Sequence, residues 1–498
     1  MHDRKGYIMK TNKRLQTTLD RLPYGDETLT GDLKVDKKLP DGVQSKELYR
    51  DIIRIAWPSF VELLLTQLVS MVDLMMVGSM GGTANPQLGT QALAAVGLTT
   101  QPKFLLMTAF VAMNTGVTAL VARYKGQGNR EKANLVVRQG LLFTFCATVI
   151  MSVLGVLFAR PMVVFMGAKE EAVAQMATVY LQIQMAGFIT MALTTTITAS
   201  LRAVGDSRTC MMYNMTANLV NVVFNWLLIY GNFGFPEMGV AGASLATVLG
   251  QFVAFVIAAA VILKGNGFLK LEMKRGFRPD KPVLTDMLGI GLPAMGEQLV
   301  MRAGMILYSK TVASLGTTAF ATHQVCMNIQ ALSFMSGQAF AVSATSLMGQ
   351  SLGKRRTDMA QAYTSRTRTV GFCVSMCLAA VFALFGKQIV GLYNSDPEII
   401  RIGGHIMLFV ALLQPFQGSQ FIIAGGLRGA GDTKTTARIT FITVLLVRPL
   451  VAMILVRTSL WLYGAWVALA CDQILRTALV FARYKSGKWK TIKLKTEK

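Results

Sequence analysis

The stretch Trp57 to Gly78, WPSFVELLLTQLVSMVDLMMVG, indicates what kind of fold this chain adopts. It is long enough to cross a bilayer as a helix, yet it contains two carboxylates, Glu62 and Asp73. At about 100° per residue, these side chains return to nearly the same helical face, with Thr66 and Val69 on the stripe between them. A charged side chain at membrane depth is energetically expensive and normally faces a cavity or a partner. The stretch therefore predicts a membrane helix with a functional polar face.

A related stretch opens the second half of the chain. Leu292 to Gly316 reads LPAMGEQLVMRAGMILYSKTVASLG. Glu297 follows a proline at the same spacing as Glu62 does, whereas Tyr308 occupies the position that corresponds to Asp73. Two related helices, of which one carries the deeper carboxylate, predict a two-lobed membrane protein with different chemistry in its two lobes.

The composition agrees with a membrane protein. Of the 498 residues, 52% are hydrophobic and 15% are charged, whereas a soluble protein carries about 25% charged residues. The apolar residues fall into long blocks, and the mean hydropathy is +0.45. This pattern predicts an all-α polytopic membrane protein with about twelve transmembrane helices in two pseudo-symmetric six-helix bundles.

The basic residues predict the topology. The net charge is +24, and most of it lies in the tails and in short loops that follow even-numbered spans. Loops after odd-numbered spans are nearly free of Lys and Arg, as in GGTANPQLGTQ. By the positive-inside rule, we expect a multi-pass protein of the cell membrane with both termini cytoplasmic. Because no basic and aromatic patch lies on a soluble domain, no nucleic-acid partner is expected.

The spans and basic segments predict five regions. We expect a flexible basic cytoplasmic tail at 1–50, an N-lobe of six spans at 51–263, a basic cytoplasmic linker at 264–283, a C-lobe of six spans at 284–484 and a basic cytoplasmic tail at 485–498.

An internal repeat relates the two lobes. LRAVGDSRT at Leu201 matches LRGAGDTKT at Leu427, and each motif closes the fourth span of its half. Six spans in each half give both halves the same orientation, so the repeat axis runs along the membrane normal. Substrate paths in such proteins run between the halves, which predicts a transporter.

The fifth span carries a stripe of amides. Asn214, Asn218, Asn221 and Asn225 step by four, three and four residues and therefore share one helical face. Amide oxygens beside a carboxylate suit a hard cation such as sodium, or a hydrogen-bonded water beside a protonated acid. The alternative is a set of hydrogen bonds between helices, which membrane proteins often use. Thr247 in the sixth span is a further candidate ligand.

These motifs together resemble those of the MATE (multidrug and toxic compound extrusion) family over about Tyr49 to Trp489. The motifs on which the resemblance rests are VDLMMVG at Val72, LVARYKGQGN at Leu120, LRAVGD at Leu201, NLVNVVFNWLLIYGNFGFPEMGVAGASLATVLGQ at Asn218, ATHQVCMNIQ at Ala321 and LRGAGDTKT at Leu427. The resemblance implies efflux of amphipathic, often cationic organic compounds in exchange for H⁺ or Na⁺. It also implies alternating access between two six-helix lobes.

The resemblance assigns expected roles to single residues. Asp73 matches the family's first-helix aspartate, and Asn221 and Asn225 match positions that line the N-lobe cavity. With Thr247, they form the expected ion-coupling set and the possible Na⁺ ligands. Independently, burial of an isolated carboxyl group in a low dielectric favours its protonated form, so Asp73 can load and release a proton.

The C-lobe departs from the NorM type of this family. Such members place a seventh-helix glutamate about two turns after the proline, where this chain has Met301. Glu62 and Glu297, with Gln67 and Arg302, are candidates for substrate binding or for a gate. The alternative for the two glutamates is a repeated structural ion pair.

The alternatives to an antiporter are a flippase and a membrane-embedded enzyme. A flippase of lipid-linked precursors would need a cavity rich in cationic side chains. An enzyme is not expected, because no reactive His, Asp and Ser cluster is visible, and no GxxxxGK[ST] phosphate loop is present. No Cys or His pattern predicts a metal site. We expect a monomer in the lipid bilayer with small-molecule substrates and no cofactor apart from the coupling ion.

Overall fold

The structure is a computed structural model that describes residues 16–25, 39–40, 42–81, 86–168, 170–265, 267–272, 276–393 and 396–492. Twelve long helical segments run through these residues, as the sequence predicts. The N-terminal six are α1 (Ser45–Gly78), α2 (Pro86–Gly126), α3 (Arg130–Leu157), α4 in two arms (Glu171–Ala186 and Phe188–Ala203), α5 (Ser207–Tyr230) and α6 (Gly239–Lys264). The C-terminal six are α7 (Lys281–Ala313), α8 (Thr317–Gly353), α9 (Thr357–Tyr393), α10 (Pro397–Gly429), α11 (Thr433–Leu455) and α12 (Trp461–Lys485).

Nine of the twelve segments are long and apolar enough to span a membrane when the two arms of α4, bent by 49°, are counted as one span. The other three among the described residues are α5, α7 and α8. Their interiors carry polar side chains, such as the asparagine stripe of α5 and Glu297 and Arg302 in α7. Helices that turn polar side chains toward a protein interior need less apolar surface overall.

The repeated LR-x-x-GD motif forms the turn between two helices in each lobe. Gly205 and Gly431 have positive φ values of 91° and 87°, a conformation that glycine adopts without strain. Asp206 then caps α5 by accepting a hydrogen bond from the backbone nitrogen of Thr209 at 3.2 Å. Each aspartate also accepts from the hydroxyl of the threonine three residues later, Thr209 at 2.9 Å and Thr435 at 2.7 Å. Asp432 additionally accepts from Arg483 at 2.6 Å. The motif therefore has the same turn geometry in both lobes, and the C-lobe adds an ion pair.

The lobes meet at one end of the molecule, which we call the basic end because the loops after α2, α4, α8 and α10 lie there. A Cβ atom on Gly126 would collide with the carbonyl oxygen of Gln350, and one on Gly353 with that of Arg123. Glycine thus allows α2 and α8 to approach closely. Gln350 also donates to the carbonyl oxygen of Ala203 at 2.9 Å. These contacts close the basic end.

Residues 16–25, which the sequence places in a flexible tail, pack against both lobes at the basic end. They include a short helix, Thr18–Arg21, in which Leu19 is buried. The backbone nitrogen of Thr18 donates to Asp51 of α1 at 2.7 Å, and Lys354 of α8 donates to the carbonyl oxygen of Leu19 at 2.8 Å. Tyr363 of α9 donates to the same Asp51 oxygen at 2.9 Å. A few apolar and capping residues thus order this part of the tail.

Replacing Asp51 should therefore destabilise the protein. Asp51→Ala leaves the buried Tyr363 hydroxyl and the Thr18 amide without an acceptor, which costs about 1–3 kcal/mol for each buried group. Thermal unfolding of the purified protein in detergent should show a lower Tm. Glu171→Ala is the matched control, because Glu171 pairs with Arg160 while both side chains are exposed, and such pairs contribute little. Equal Tm values for the two variants would contradict the role of Asp51.

Candidate ion-coupling site and central cavity

The polar stripes of α1 and α5 lie against each other. Both helices run in the same direction, so successive turns of one meet successive turns of the other. Three amide nitrogens of α5 donate to oxygen atoms of α1: Asn214 to Glu62 (2.6 Å), Asn218 to Thr66 (3.2 Å) and Asn225 to Asp73 (2.5 Å). The structure therefore brings together the two polar stripes that the sequence placed on separate helices.

The expected ion-coupling residues form one cluster. Asp73 is partly buried, and Asn225 is fully buried behind it. With its amide nitrogen facing Asp73, Asn221 donates to Oδ1 at 2.9 Å and to Oδ2 at 3.2 Å. The oxygen of Asn221 then accepts from the backbone nitrogen and the hydroxyl of Thr247, both at 3.2 Å. Two amide nitrogens of α5 thus donate to the carboxyl group of Asp73.

The cluster contains oxygen atoms of the kind that bind a small hard cation. The Oδ1 atom of Asn225 is buried and forms no hydrogen bond with the described residues. The oxygens of Asn221 and Thr247 lie close by. Among the described residues, no group of three His, Cys, Asp or Glu side chains could hold a metal ion. One carboxylate among neutral oxygens suits a proton or sodium better than a transition metal.

The corresponding region of the C-lobe has different chemistry. Tyr308 is buried and donates to the carbonyl oxygen of Ala465 at 2.9 Å. At the offset that relates Leu201 to Leu427, three of the α5 asparagines correspond to valines. These are Val444, Val447 and Val451. The C-lobe therefore lacks the counterpart of the Asp73 cluster.

A buried ion-pair cluster lies in the C-lobe instead. Asp472 is fully buried and forms ion pairs with Arg448 and Arg476, the latter at 2.5 Å. Two arginines around one carboxylate hold that carboxylate in its charged form, because neutralising it would leave two buried positive charges uncompensated. This cluster is consistent with a structural role.

Glu62 and Glu297 form equivalent ion pairs. Arg202 lies 2.7 Å from Glu62, and Arg428 lies 2.6 Å from Glu297. Both arginines belong to the repeated LR motif, so the pair is duplicated with the lobes. The hypothesis of a gate between Glu297 and Arg302 is not supported by this geometry, because the Arg302 guanidinium instead lies over the Phe104 ring at 4.3 Å.

The two ion pairs line a central cavity of about 530 Å³ between the lobes. Its wall is rich in hydroxyl and amide groups, and Gln67 is not part of it. The polar lining includes Thr66, Asn114, Thr115, Thr118, Thr194, Thr195, Thr198, Asn214, Asn218, Gln251, Gln298, Gln338 and Thr345. Apolar side chains such as Met107, Val111 and Met191 complete it. The cavity therefore offers a small molecule both hydrogen bonds and apolar contacts.

Sequence reasoning missed Lys103. This lysine lies within the hydrophobic second span, directly after Pro102, and its Nζ donates to Gln184 Oε1 at 2.9 Å. The signal that could have identified it is a charge inside an apolar block, the same signal that identified Asp73.

A two-lobed helical bundle with a central cavity is the architecture of a membrane transporter. The MatE family model matches residues 58–227 and 293–454. The probable multidrug resistance protein NorM of Thermotoga maritima is 28% identical over 445 residues, which cover 89% of this chain and 93% of the relative. Multidrug resistance protein MdtK of Yersinia pestis is 28% identical over 394 residues, covering 79% of this chain and 84% of the relative.

Solved structures show the same fold. A multidrug resistance MATE family transporter in an outward-facing conformation superposes with a TM-score of 0.81 at 22% identity, covering 92% of this chain and all of the other (100%). A MATE structure in a bent conformation superposes with a TM-score of 0.80 at 22% sequence identity, and the match covers 91% of this chain and 99% of the other. The chain belongs to the MATE family of transporters and is not an enzyme.

The Glu297 ion pair yields a stability prediction. Arg428→Met leaves the buried Glu297 carboxylate without its counter-charge and should destabilise the protein by about 3–5 kcal/mol. Arg302→Met is the control and should have a smaller effect, since Arg302 contacts the exposed face of an aromatic ring. Thermal unfolding of each purified variant gives its Tm, and we expect the lower Tm for Arg428→Met. A larger loss of stability in Arg302→Met would contradict the assigned pairing.

Proposed function

We propose that this chain is a secondary active multidrug efflux antiporter that exports amphipathic or cationic organic compounds in exchange for H⁺ or Na⁺. The observation that carries the proposal is the Asp73 cluster, in which a carboxylate at membrane depth is held by neutral amides. Neutral partners leave the carboxylate able to take up a cation, whereas arginine partners, as at Asp472, would not.

Ion loading would weaken the contact between α1 and α5. A proton or Na⁺ on Asp73 neutralises the charge that the Asn225 and Asn221 amides bind in the empty state. Charge-assisted hydrogen bonds are about twice as strong as neutral ones, so their loss shifts the packing of α1 within the N-lobe. We propose that this rearrangement releases the substrate and that ion release restores the first state.

The closed basic end supports alternating access between the lobes. If both termini are cytoplasmic, the contacts between α2 and α8 close the cytoplasmic side, and the cavity opens outward. Rocking of the lobes 51–263 and 284–484 about these contacts would then expose the cavity to the cytoplasm. We propose that the transport unit is a monomer, because each chain contains both lobes.

The cavity wall supports a broad range of substrates. The names of the relatives describe multidrug resistance proteins, and we propose the same general role here. Glu62 and Glu297 could attract a cationic substrate only by exchanging their arginine partners for it. The neutral hydroxyl and amide groups of the wall could instead bind the polar parts of the same compounds.

A flippase of lipid-linked precursors is the alternative. Such a protein would need unpaired cationic side chains in the cavity to bind phosphate groups. The two arginines in the lining, Arg202 and Arg428, are each paired with a glutamate. The charge of the cavity therefore favours the antiporter.

Asp73→Asn should abolish gradient-driven transport, because the amide removes the exchangeable charge while keeping the shape of the side chain. Ethidium flux in proteoliposomes with an imposed proton or sodium gradient measures the effect, and we expect at least a tenfold loss. Thr216→Val is the control, since Thr216 is exposed on α5 outside the cavity lining and its hydroxyl donates to the carbonyl oxygen of Met212 in the same helix at 3.0 Å. A normally folded Asp73→Asn protein that retains full gradient-driven transport would refute the proposal.

A further inference from the structure

Lys103 lies too deep in α2 for its charge to reach the surface along its own helix. It follows the start of α2 at Pro86 by 17 residues, which corresponds to about 25 Å of helix. A lysine side chain near a helix end can extend its charge to the interface, but one at this depth needs a polar partner inside the protein. The ammonium group of Lys103 must therefore be stabilised by polar or charged groups within the N-lobe.

The partners of Lys103 form a polar chain across three helices. Its Nζ donates to Gln184 Oε1 at 2.9 Å. Gln184 is buried, and its Nε2 donates to the carbonyl oxygen of Ser244 at 3.3 Å. The hydroxyl of Ser244 donates to the carbonyl oxygen of Tyr180 at 2.8 Å. This chain fixes the orientation of Gln184, so that its oxygen accepts from the ammonium.

Hydrogen bonds link Lys103 to the Asp73 cluster through α6. Gln184, the partner of Lys103, donates to Ser244 of α6. Asn221, a donor to Asp73, accepts from Thr247, which lies about one helical turn further along α6. The Lys103 ammonium and the Asp73 carboxylate attract each other across the N-lobe. In the described part of the chain, Lys103 forms its hydrogen bond with Gln184 rather than a salt bridge with Asp73. The groups that face Asp73 from the surrounding helices are Lys103 of α2, Tyr180 of α4, Asn221 and Asn225 of α5 and Thr247 of α6.

We propose that Lys103 is a tethered cation that competes with the coupling ion for Asp73. This inference rests on the proposed coupling role of Asp73. In the empty site the ammonium stabilises the charged carboxylate, and an incoming proton or Na⁺ must overcome that attraction. In the loaded site the ammonium keeps Gln184 as its partner, so it remains solvated while the ion occupies the carboxylate. Lys103 thereby weakens ion binding and makes ion release possible at each turnover.

The C-lobe supports the same reasoning by contrast. There Arg448 and Arg476 contact Asp472 directly, and the carboxylate is permanently occupied by positive charge. In the N-lobe the positive charge is held back by Gln184, so the carboxylate stays available to a mobile ion. Direct contact with arginine thus marks the structural carboxylate, whereas the proposed exchangeable carboxylate is contacted by neutral amides.

The test is an ion titration of the purified protein in nanodiscs. Ion binding is measured as the increase in Tm that it produces. One series varies pH without sodium, and the other varies NaCl against choline chloride at fixed pH. The ion that loads Asp73 is identified by a titration that Asp73→Asn abolishes. For that ion, Lys103→Met should lower the half-saturating concentration roughly tenfold, the order of change expected when one unit charge near the carboxylate is removed from a protein interior. Lys103→Arg should stay close to the unmodified protein.

A second variant protects the test against a folding defect in Lys103→Met. Gln184→Leu removes the neutral partner and leaves Asp73 as the attraction for the ammonium, so the half-saturating concentration should rise. In ethidium flux assays, Lys103→Met and Gln184→Leu should each change the half-saturating ion concentration. Damaged packing would instead lower the maximal transport rate. Unchanged half-saturation in Lys103→Met and Gln184→Leu would overturn the role of Lys103. A titration that survives Asp73→Asn would instead overturn the proposed function itself.

Discussion

The organisation of the N-lobe depends on the cost of placing a charge in a low-dielectric environment. Asp73 lies at membrane depth, where a carboxylate without partners would be strongly disfavoured. The asparagine stripe of α5 supplies neutral donors, of which Asn225 and Asn221 reach the carboxylate. Neutral donors satisfy the charge without cancelling it. For this reason we propose that the same contact holds α1 against α5 and still responds to the arrival of a cation.

The two lobes illustrate how duplication can separate structural from functional charges. The Glu62–Arg202 and Glu297–Arg428 pairs are preserved in both lobes, at the end of the cavity where the lobes meet. Deeper in the bundle the lobes differ, with Asp73 in one and Tyr308 in the other. Three of the four asparagines of α5 correspond to valines in α11, and Asp472 is paired with two arginines instead. The charge that we propose to be exchangeable is therefore confined to one lobe, whereas the glutamate–arginine pairs occur in both.

The sequence predicted the features that follow from one helix at a time. Long apolar blocks predicted the membrane fold, and residue spacing placed Glu62 with Asp73 and the four asparagines on single faces. Contacts that depend on how helices dock were not predictable in the same way. The partner of Glu297 proved to be Arg428, three helices away along the chain, rather than Arg302 on its own helix. The packing of residues 16–25 was missed because their few apolar residues lie in a polar segment.

The central claim is that one exchangeable carboxylate, in the N-lobe, couples ion flow to transport. The ratio of ions to substrate in each cycle tests it most directly. In proteoliposomes, opposing gradients of the coupling ion and of ethidium can be adjusted until net ethidium flux stops, and the balance point gives the ratio. One exchangeable site predicts a ratio of one ion for each ethidium molecule. A ratio of two would contradict the account, because it requires a second exchangeable site outside the Asp73 cluster.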